Sequence, residues 1–540
     1  MADSVPVQPP LSDQPFHDST VYGSRADDSI SDATENAAVT LHSITFNGGA
    51  TISYTARAGH LVTRDQDSSQ PSAKIFYVSF TANDIAASKR PVTFFYNGGP
   101  GSSAVYLLLG SFGPRRIKTS MPHFTPPAPY ELENNPESLL DRTDLVFINP
   151  VGTGYSAAIA PGKNKDFWGV DEDARSIKQF IKRYLTYYYR WNSPKFLFGE
   201  SYGTPRTCVL TWLLHEDGVD LNGIVLQSSV LRFSPPNPSV GKLPTFAADA
   251  LYHMKVTVSP RPTLHQLASF MKRVEDFARS KEFATAEANY LKVNPATVRF
   301  LSQILGIPPE VLRHWKLDPD IKNGTIYLTS LLKDKAVGAY DGRVTANETG
   351  IAGSVNPNSG GNDPTMTAVG GVYTTMWNVY LNEELKYTST SPFMDLNDQA
   401  YPNWDWNHID PTGAQKGGKD DSTLYTAGDL AASMELNPYL KVFSANGYYD
   451  SVTPFFQTKL DLENLPLGNK KRRDKPPPNL VFHIYRSGHM IYLDKDSRKE
   501  MKKDLGTFYD RTLEHRTDEV AIRPEDRKIR YRRRFNRTPY

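Results

Sequence analysis

Short unbroken apolar runs alternate with helical repeats along much of this chain. Val92-Thr93-Phe94-Phe95-Tyr96, Asp144 to Asn149, Phe196-Leu197-Phe198, Asn222 to Gln227 and Leu440 to Ala445 each read as a short buried strand. Leu480 to Tyr485 reads as a strand of more alternating character. Between them, Asp171 to Tyr189 places Ala174, Ile177, Phe180, Ile181, Tyr184 and Leu185 at helical spacing. A second helix-compatible segment runs through Cys208, Leu210, Trp212, Leu213 and Leu214, and others run from Pro454 to Leu462 and from Ser497 to Leu513. Strand, helix, strand, repeated, is the grammar of a parallel sheet. Ahead of it, Ile44 to Phe46, the turn Asn47-Gly48-Gly49, the alternating Ile52, Tyr54 and Ala56, and Ala73 to Phe80 predict an antiparallel start.

The pattern divides the chain. Residues 1–38, rich in Ser, Asp, Pro and Ala, read as a mobile leader. The βα pattern occupies 39–230 and resumes over 437–515. From 231 to 436 it breaks: Pro-rich at 235–262, helical at 263–305, loop-like at 340–372, helical again at 373–387, then aromatic with Tyr401, Trp404 and Trp406. An insertion of this size after a sheet strand predicts a cap over a site. The alternative is that its helix at 263–280 belongs to an independent binding module. Residues 516–540 form a basic tail containing Arg527, Lys528, Arg530, Arg532, Arg533, Arg534 and Arg537, read as a solvated terminal segment rather than a dock for an acidic partner.

Charge and cysteine usage narrow the function classes. With 61 basic and 59 acidic residues the net charge is +2, so no global field favours nucleic acid. The single cysteine, Cys208, permits no intramolecular disulfide and reads as a packing residue. No apolar run is long enough for a membrane span. Met1 to Pro10 has neither the basic region nor the apolar core of a secretory signal, which suits a cytoplasmic protein, or a periplasmic or secreted one whose leader has been removed. Oligomeric state is not legible.

Candidate chemistry sits at the strand ends. Gly199-Glu200-Ser201-Tyr202-Gly203, between an apolar strand and a helix, has the context of a nucleophile elbow, in which a strained turn lifts a serine above the sheet. Asn97-Gly98-Gly99-Pro100-Gly101 ends another strand and leaves amide N–H groups uncovered, as an oxyanion hole requires; an ordinary tight turn is the plainer alternative. Pro150-Val151-Gly152-Thr153-Gly154-Tyr155-Ser156 lacks the lysine of a phosphate-binding loop. A serine nucleophile needs a base and an acid that orients it, and in an α/β-hydrolase these follow in chain order. Asp450 and His489, each just past a late strand, meet that order, whereas His483 lies within a strand and reads as structural. No His-Glu-x-x-His pattern suggests a metal, and no cofactor is expected.

Together Asn-Gly-Gly-Pro-Gly (97–101), Pro-Val-Gly-Thr-Gly-Tyr-Ser (150–156), Gly-Glu-Ser-Tyr-Gly (199–203), Asn-Gly-Tyr-Tyr-Asp (446–450) and Ser-Gly-His-Met (487–490) resemble the serine carboxypeptidase family. The resemblance implies an α/β-hydrolase fold: a mostly parallel central sheet flanked by helices, with a large inserted cap. It implies Ser201 as nucleophile, His489 as base and Asp450 as its orienting carboxylate. The backbone N–H groups of Gly99 and Tyr202 would form the oxyanion hole. Asn97 and Glu200 would bind the terminal carboxylate of a peptide substrate, with Tyr202 and Met490 lining the pocket. Because two adjacent carboxylates repel unless one is protonated, peptide hydrolysis is expected to favour mildly acidic pH. Two departures stand out: Ser102 replaces a typical cysteine, and Ser111 stands where eukaryotic members carry an acid before Gly113-Pro114. The disulfide-poor pattern with Gly113-Pro114-Arg115-Arg116 looks more like bacterial branches. The lost acid makes ester hydrolysis or acyl transfer the runner-up activity, and a catalytically silent binding protein is the reading from another class.

Overall fold

The computed structural model describes residues 12–65, 68–83, 85–347, 363–413, 418, 420–467 and 477–514. Its centre is a 10-stranded sheet. In chain order the strands are β1 (Ala37–Thr45), β2 (Thr51–Arg64), β3 (Pro71–Ala82), β4 (Val92–Tyr96), β5 (Asp144–Ile148), β6 (Lys195–Glu200), β7 (Gly223–Gln227), β8 (Lys441–Gly447) and β9 (Leu480–Tyr485). They lie in the order β9-β8-β7-β6-β4-β5-β3-β2-β1, and Ala157–Ala158 pairs with β3 as the tenth strand. β9 through β5 run parallel, and β3, β2 and β1 continue antiparallel. The central strands read as continuous apolar runs because both of their faces are covered.

Alternation along those strands sorts side chains into two cores. On one face Phe95 stacks between Phe147 and Phe198, with ring centroids 4.7 and 4.9 Å away. The other face, with Phe94, Leu197 and Ile224, is covered by α1 (Val170–Tyr187) and α2 (Gly203–Glu216). Ala174, Ile177, Phe180, Ile181, Tyr184 and Leu185 are all buried there, and Asp171, Glu172 and Asp173 in the first turn of α1 suit the positive end of its dipole. Cys208 is buried in the same layer.

Between β7 and β8 the chain leaves the sheet. There α3 (Pro238–Tyr252), α4 (Leu267–Ala278) and α5 (Pro295–Leu305) build a separate apolar cluster. Next, α6 (Pro364–Val379) packs on the Phe95 side of the sheet, and α7 (Ala427–Leu436) lies beside α2. The chain finishes with α8 (Phe455–Glu463) and α9 (Lys495–Glu514). His483 stacks on Phe443 with centroids 4.9 Å apart and faces Asp504, a structural setting.

The described part of the expected leader, from residue 12, pairs with later parts of the chain. Phe16–Asp18 forms a parallel pair with Tyr387–Ser389, and Gln14 bridges Val39. Buried Asp18 accepts hydrogen bonds from the Tyr22 and Tyr387 hydroxyls at 2.8 and 2.7 Å. Burial opposes its charge, but these donors outweigh it and hold the carboxyl at about 2. Partners hundreds of residues away anchor this stretch, which local composition does not reveal. The basic tail over 516–540 lies outside the described residues. Among the described residues, no helix is long and apolar enough to cross a membrane.

Candidate active site

β6 ends at Glu200, and α2 begins at Gly203; Ser201 occupies the turn between them. Its φ of 60° is left-handed, a strained conformation for a residue with a side chain. The Ser201 N–H donates to Gln227 O (3.0 Å), and Ser201 O accepts from Thr204 N (2.8 Å), so neighbouring backbone fixes the strain. The turn is tight enough that a methyl group on Gly199 would stand 2.1 Å from Gly203 O. Beside it, Gly99 adopts φ 103° at the end of β4. The N–H groups of Gly99 and Tyr202 border the same cavity, and neither has a hydrogen-bond acceptor among the described residues. The Tyr202 ring points elsewhere: its hydroxyl accepts from Trp404 Nε1 at 2.9 Å, within an aromatic cluster.

Asp450 follows β8 and His489 follows β9, adjacent strands, so their loops meet. His489 Nδ1 lies 2.8 Å from Asp450 Oδ2. Asp450 Oδ1 accepts the N–H groups of Val452 and Thr453, and the Thr453 hydroxyl donates to Oδ2 at 2.6 Å. A carboxylate held this way makes Nδ1 the proton-bearing ring nitrogen and leaves Nε2 as the basic one. Burial works against a charged His489 ring, but the Asp450 charge and hydrogen bond outweigh it and raise its pKa. His489 and Ser201 line one cavity of about 550 Å³, though no hydrogen bond joins them in this structure.

Glu200 is buried at the cavity wall. Leu107 N donates to Asn97 Oδ1 (3.0 Å), which turns the Asn97 amide so that Nδ2 donates to Glu200 Oε2 (2.9 Å). The Tyr492 hydroxyl reaches the same carboxyl, 3.0 Å from Oε2 and 3.2 Å from Oε1. Desolvation dominates: it lifts the Glu200 pKa to about 7 against the lowering effects of the His489 charge and these donors. Ser111 is turned away, its buried hydroxyl donating to Leu107 O at 2.5 Å. Met490 lines the cavity, as do Tyr106, Met366, Leu396 and Tyr401.

One strip of the insertion runs between the loops that carry Asp450 and His489. Tyr340 O accepts from His489 N (2.6 Å), Ala339 O accepts from Ser451 N (3.0 Å), and Gly342 N donates to Tyr449 O (2.9 Å). Arg343 then pairs with Asp341 and Asp494 and donates to Arg486 O. Tyr340, Thr453 and Tyr492 were not anticipated from sequence. Tyr492 had the only local signal, a phenol three residues beyond His489. Among the described residues, no group of three or more His, Cys, Asp or Glu side chains is placed to hold a metal ion.

Residues 48–224, which contain the elbow and the glycine-rich loop, match the family described as Serine carboxypeptidase. The likeness to that family is carried by this stretch, which is under half of the chain. Pheromone-processing carboxypeptidase KEX1 of Saccharomyces cerevisiae is 29% identical over 143 residues, 25% of this chain and 18% of the relative. The match thus spans under a fifth of that relative's length. Serine carboxypeptidase-like 2 of Arabidopsis thaliana is 22% identical over 256 residues, 46% of this chain and 53% of the relative. In three dimensions the chain is similar to the crystal structure of KEX1(delta)p, a prohormone-processing carboxypeptidase from Saccharomyces cerevisiae. The TM-score is 0.53 at 16% identity, covering 85% of this chain and 91% of that one. At that identity the likeness speaks for the fold, which is the α/β-hydrolase fold with a mixed, mostly parallel sheet flanked by helices.

Proposed function

We propose that this protein is a serine-type carboxypeptidase that releases C-terminal amino acids from peptides through an acyl-enzyme. The observation that carries this reading is the buried Glu200 carboxyl, hydrogen-bonded by Asn97 and adjacent in sequence to Ser201 at its left-handed turn. A generic esterase has no need of a carboxyl group kept protonated beside its nucleophile. Here the acid offers a donor to a substrate carboxylate, and the arriving negative charge itself favours protonated Glu200. Asn97 belongs to the same carboxylate site.

In this reading His489 Nε2 takes the Ser201 proton as Oγ attacks the scissile carbonyl, and Asp450 stabilises the resulting imidazolium. The N–H groups of Gly99 and Tyr202 donate to the developing oxyanion, each worth about 3 kcal/mol. His489 passes the proton to the departing amino acid, and water then releases the acyl group by the reverse path. The insertion at 231–436 acts as the cap, supplying Tyr340, Leu396 and Tyr401 to the cavity. The single cysteine and the sequence Gly113-Pro114-Arg115-Arg116 favour a branch of the family that does without bridges, as bacterial ones do.

The test compares a blocked dipeptide with its C-terminal amide at pH 5 to 9, using Ser201→Ala as control. Preference for the free acid, lost in Ser201→Ala and declining above neutrality, is the expected result. Equal rates on acid and amide would overturn the exopeptidase reading in favour of ester hydrolysis or acyl transfer.

A further inference from the structure

Ser111 leaves the carboxylate site one acid short, yet Glu200 is not left without support. The Tyr492 phenol stands within hydrogen-bond distance of both Glu200 oxygens and is not itself a cavity-lining residue. The space it occupies is provided by Gly110: a methyl group there would stand 2.5 Å from Tyr492 Cε2 and 2.1 Å from the Tyr373 hydroxyl. The backbone beside Ser111 is therefore shaped around two phenol rings. Oε2 accepts from both Asn97 (2.9 Å) and Tyr492 (3.0 Å), while among the described residues Oε1 has only the longer contact of 3.2 Å. Two donors on Oε2 disfavour a proton there, since N–H and O–H donors aim at lone pairs.

We propose that Tyr492 is the positioning residue of the carboxylate site, standing in for the missing acid by directing the Glu200 proton to Oε1, where it is offered to the substrate's C-terminus. The proposal rests on the carboxypeptidase reading above. A phenol differs from an acid in one respect that matters: it stays protonated throughout the working range, since burial and the Glu200 charge raise its pKa well above the usual 10. The upper pH limit of recognition then belongs to Glu200. The charged and titratable groups facing Glu200 are His489 and Asp450, with the Tyr492, Tyr106, Tyr340 and Tyr373 phenols around it.

Tyr492→Phe keeps the ring and removes the donor. On the blocked dipeptide its KM should rise, lowering the acid-over-amide preference about tenfold, the value of one such hydrogen bond. Because the lost donor had favoured ionised Glu200, the alkaline limb should also move to higher pH. A purely structural role would depress acid and amide alike and leave the limb in place, and that result would overturn the proposal. A second measurement needs no turnover. In the Ser201→Ala protein, the infrared band of protonated Glu200, identified by its loss in Glu200→Gln, should titrate at higher pH once Tyr492→Phe is added. An unmoved band overturns the role of Tyr492 whether or not the wild type prefers acids. A moved band in an enzyme without acid preference keeps Tyr492's hold on Glu200 and overturns the carboxypeptidase reading instead. If Tyr492→Phe does not fold, 3-fluorotyrosine at position 492 strengthens the same donor, and the Glu200 band should then titrate at lower pH.

Discussion

Gly98 and Tyr202 are in such close approach that a methyl group on Gly98 would stand 2.4 Å from the Tyr202 nitrogen. The backbone of the glycine-rich loop is therefore seated on the N–H that the elbow presents to the cavity. Gly98→Ala must push the two segments apart and misplace at least one oxyanion donor. Acylation by a fluorophosphonate probe should slow about a hundredfold, the usual cost of one such donor, with the Asp450–His489 pair left intact. Labelling at the wild-type rate would contradict this geometry.

Asp450 accepts two backbone N–H groups, the Thr453 hydroxyl and the His489 ring. Asp450→Asn presents an amide N–H where Nδ1 needs an acceptor, which favours the wrong tautomer of His489. Turnover should fall about ten-thousandfold with little change in KM. A loss below tenfold would remove Asp450 from the proposed role.

Glu200 carries its proton below about 7 and sheds it above. Recognition of a free C-terminus should therefore be present at pH 5 to 6 and fade as pH rises through that value, while hydrolysis of an amide or ester shows no such limb. Glu200→Gln retains a neutral donor and does not titrate. The acid-over-amide ratio of Glu200→Gln should be independent of pH between 6 and 8, as steady-state kinetics on both substrates will reveal.

His408 ties the insertion to the core, with Nδ1 at 2.7 Å from Asp171 and Nε2 at 2.9 Å from Asp429. Burial opposes its charge, but the two carboxylates more than compensate and raise its pKa to about 10. A folded-state pKa above the unfolded value of about 6.5 makes this stabilisation complete at pH 6 and progressively lost towards pH 10. His408→Asn should cost about 3 kcal/mol at pH 6 and less at pH 9, because it leaves the buried Asp429 carboxylate facing the partly exposed Asp171 with no cation between them. Urea unfolding at both values measures it.

Ser111→Ala tests the departure that set this chain apart. Its hydroxyl is spent on Leu107 O, inside the helical turn. The acid-over-amide preference should not change, and stability should fall by no more than about 1 kcal/mol. A drop in preference would bring Ser111 back into the carboxylate site.

The parts of the fold that were legible share a cause: strands buried on both faces, such as Phe94-Phe95-Tyr96, announce themselves as apolar runs, and α1 shows its buried stripe at 3.6-residue spacing. The places of Asp450 and His489 followed from the ends of β8 and β9, since a parallel sheet gathers those ends at one edge. What was not legible depends on contacts without local period. Asp18 reads as one polar residue in a polar leader until Tyr387 is folded against it. Tyr492 reads as ordinary core until Gly110 makes room for its ring. That the Ser111 hydroxyl turns onto Leu107 O depends on a backbone turn that cannot be seen in a string of letters.

The strip at 339–343 gives the insertion a second duty. Its carbonyls hold the loops of both Asp450 and His489, through Ser451 N and His489 N. The insertion and the two loops beneath it are thus one mechanical part, and they cannot be exchanged as modules. An engineer grafting a shorter insertion onto this sheet would have to carry these five residues across or find other acceptors for the His489 and Ser451 N–H groups.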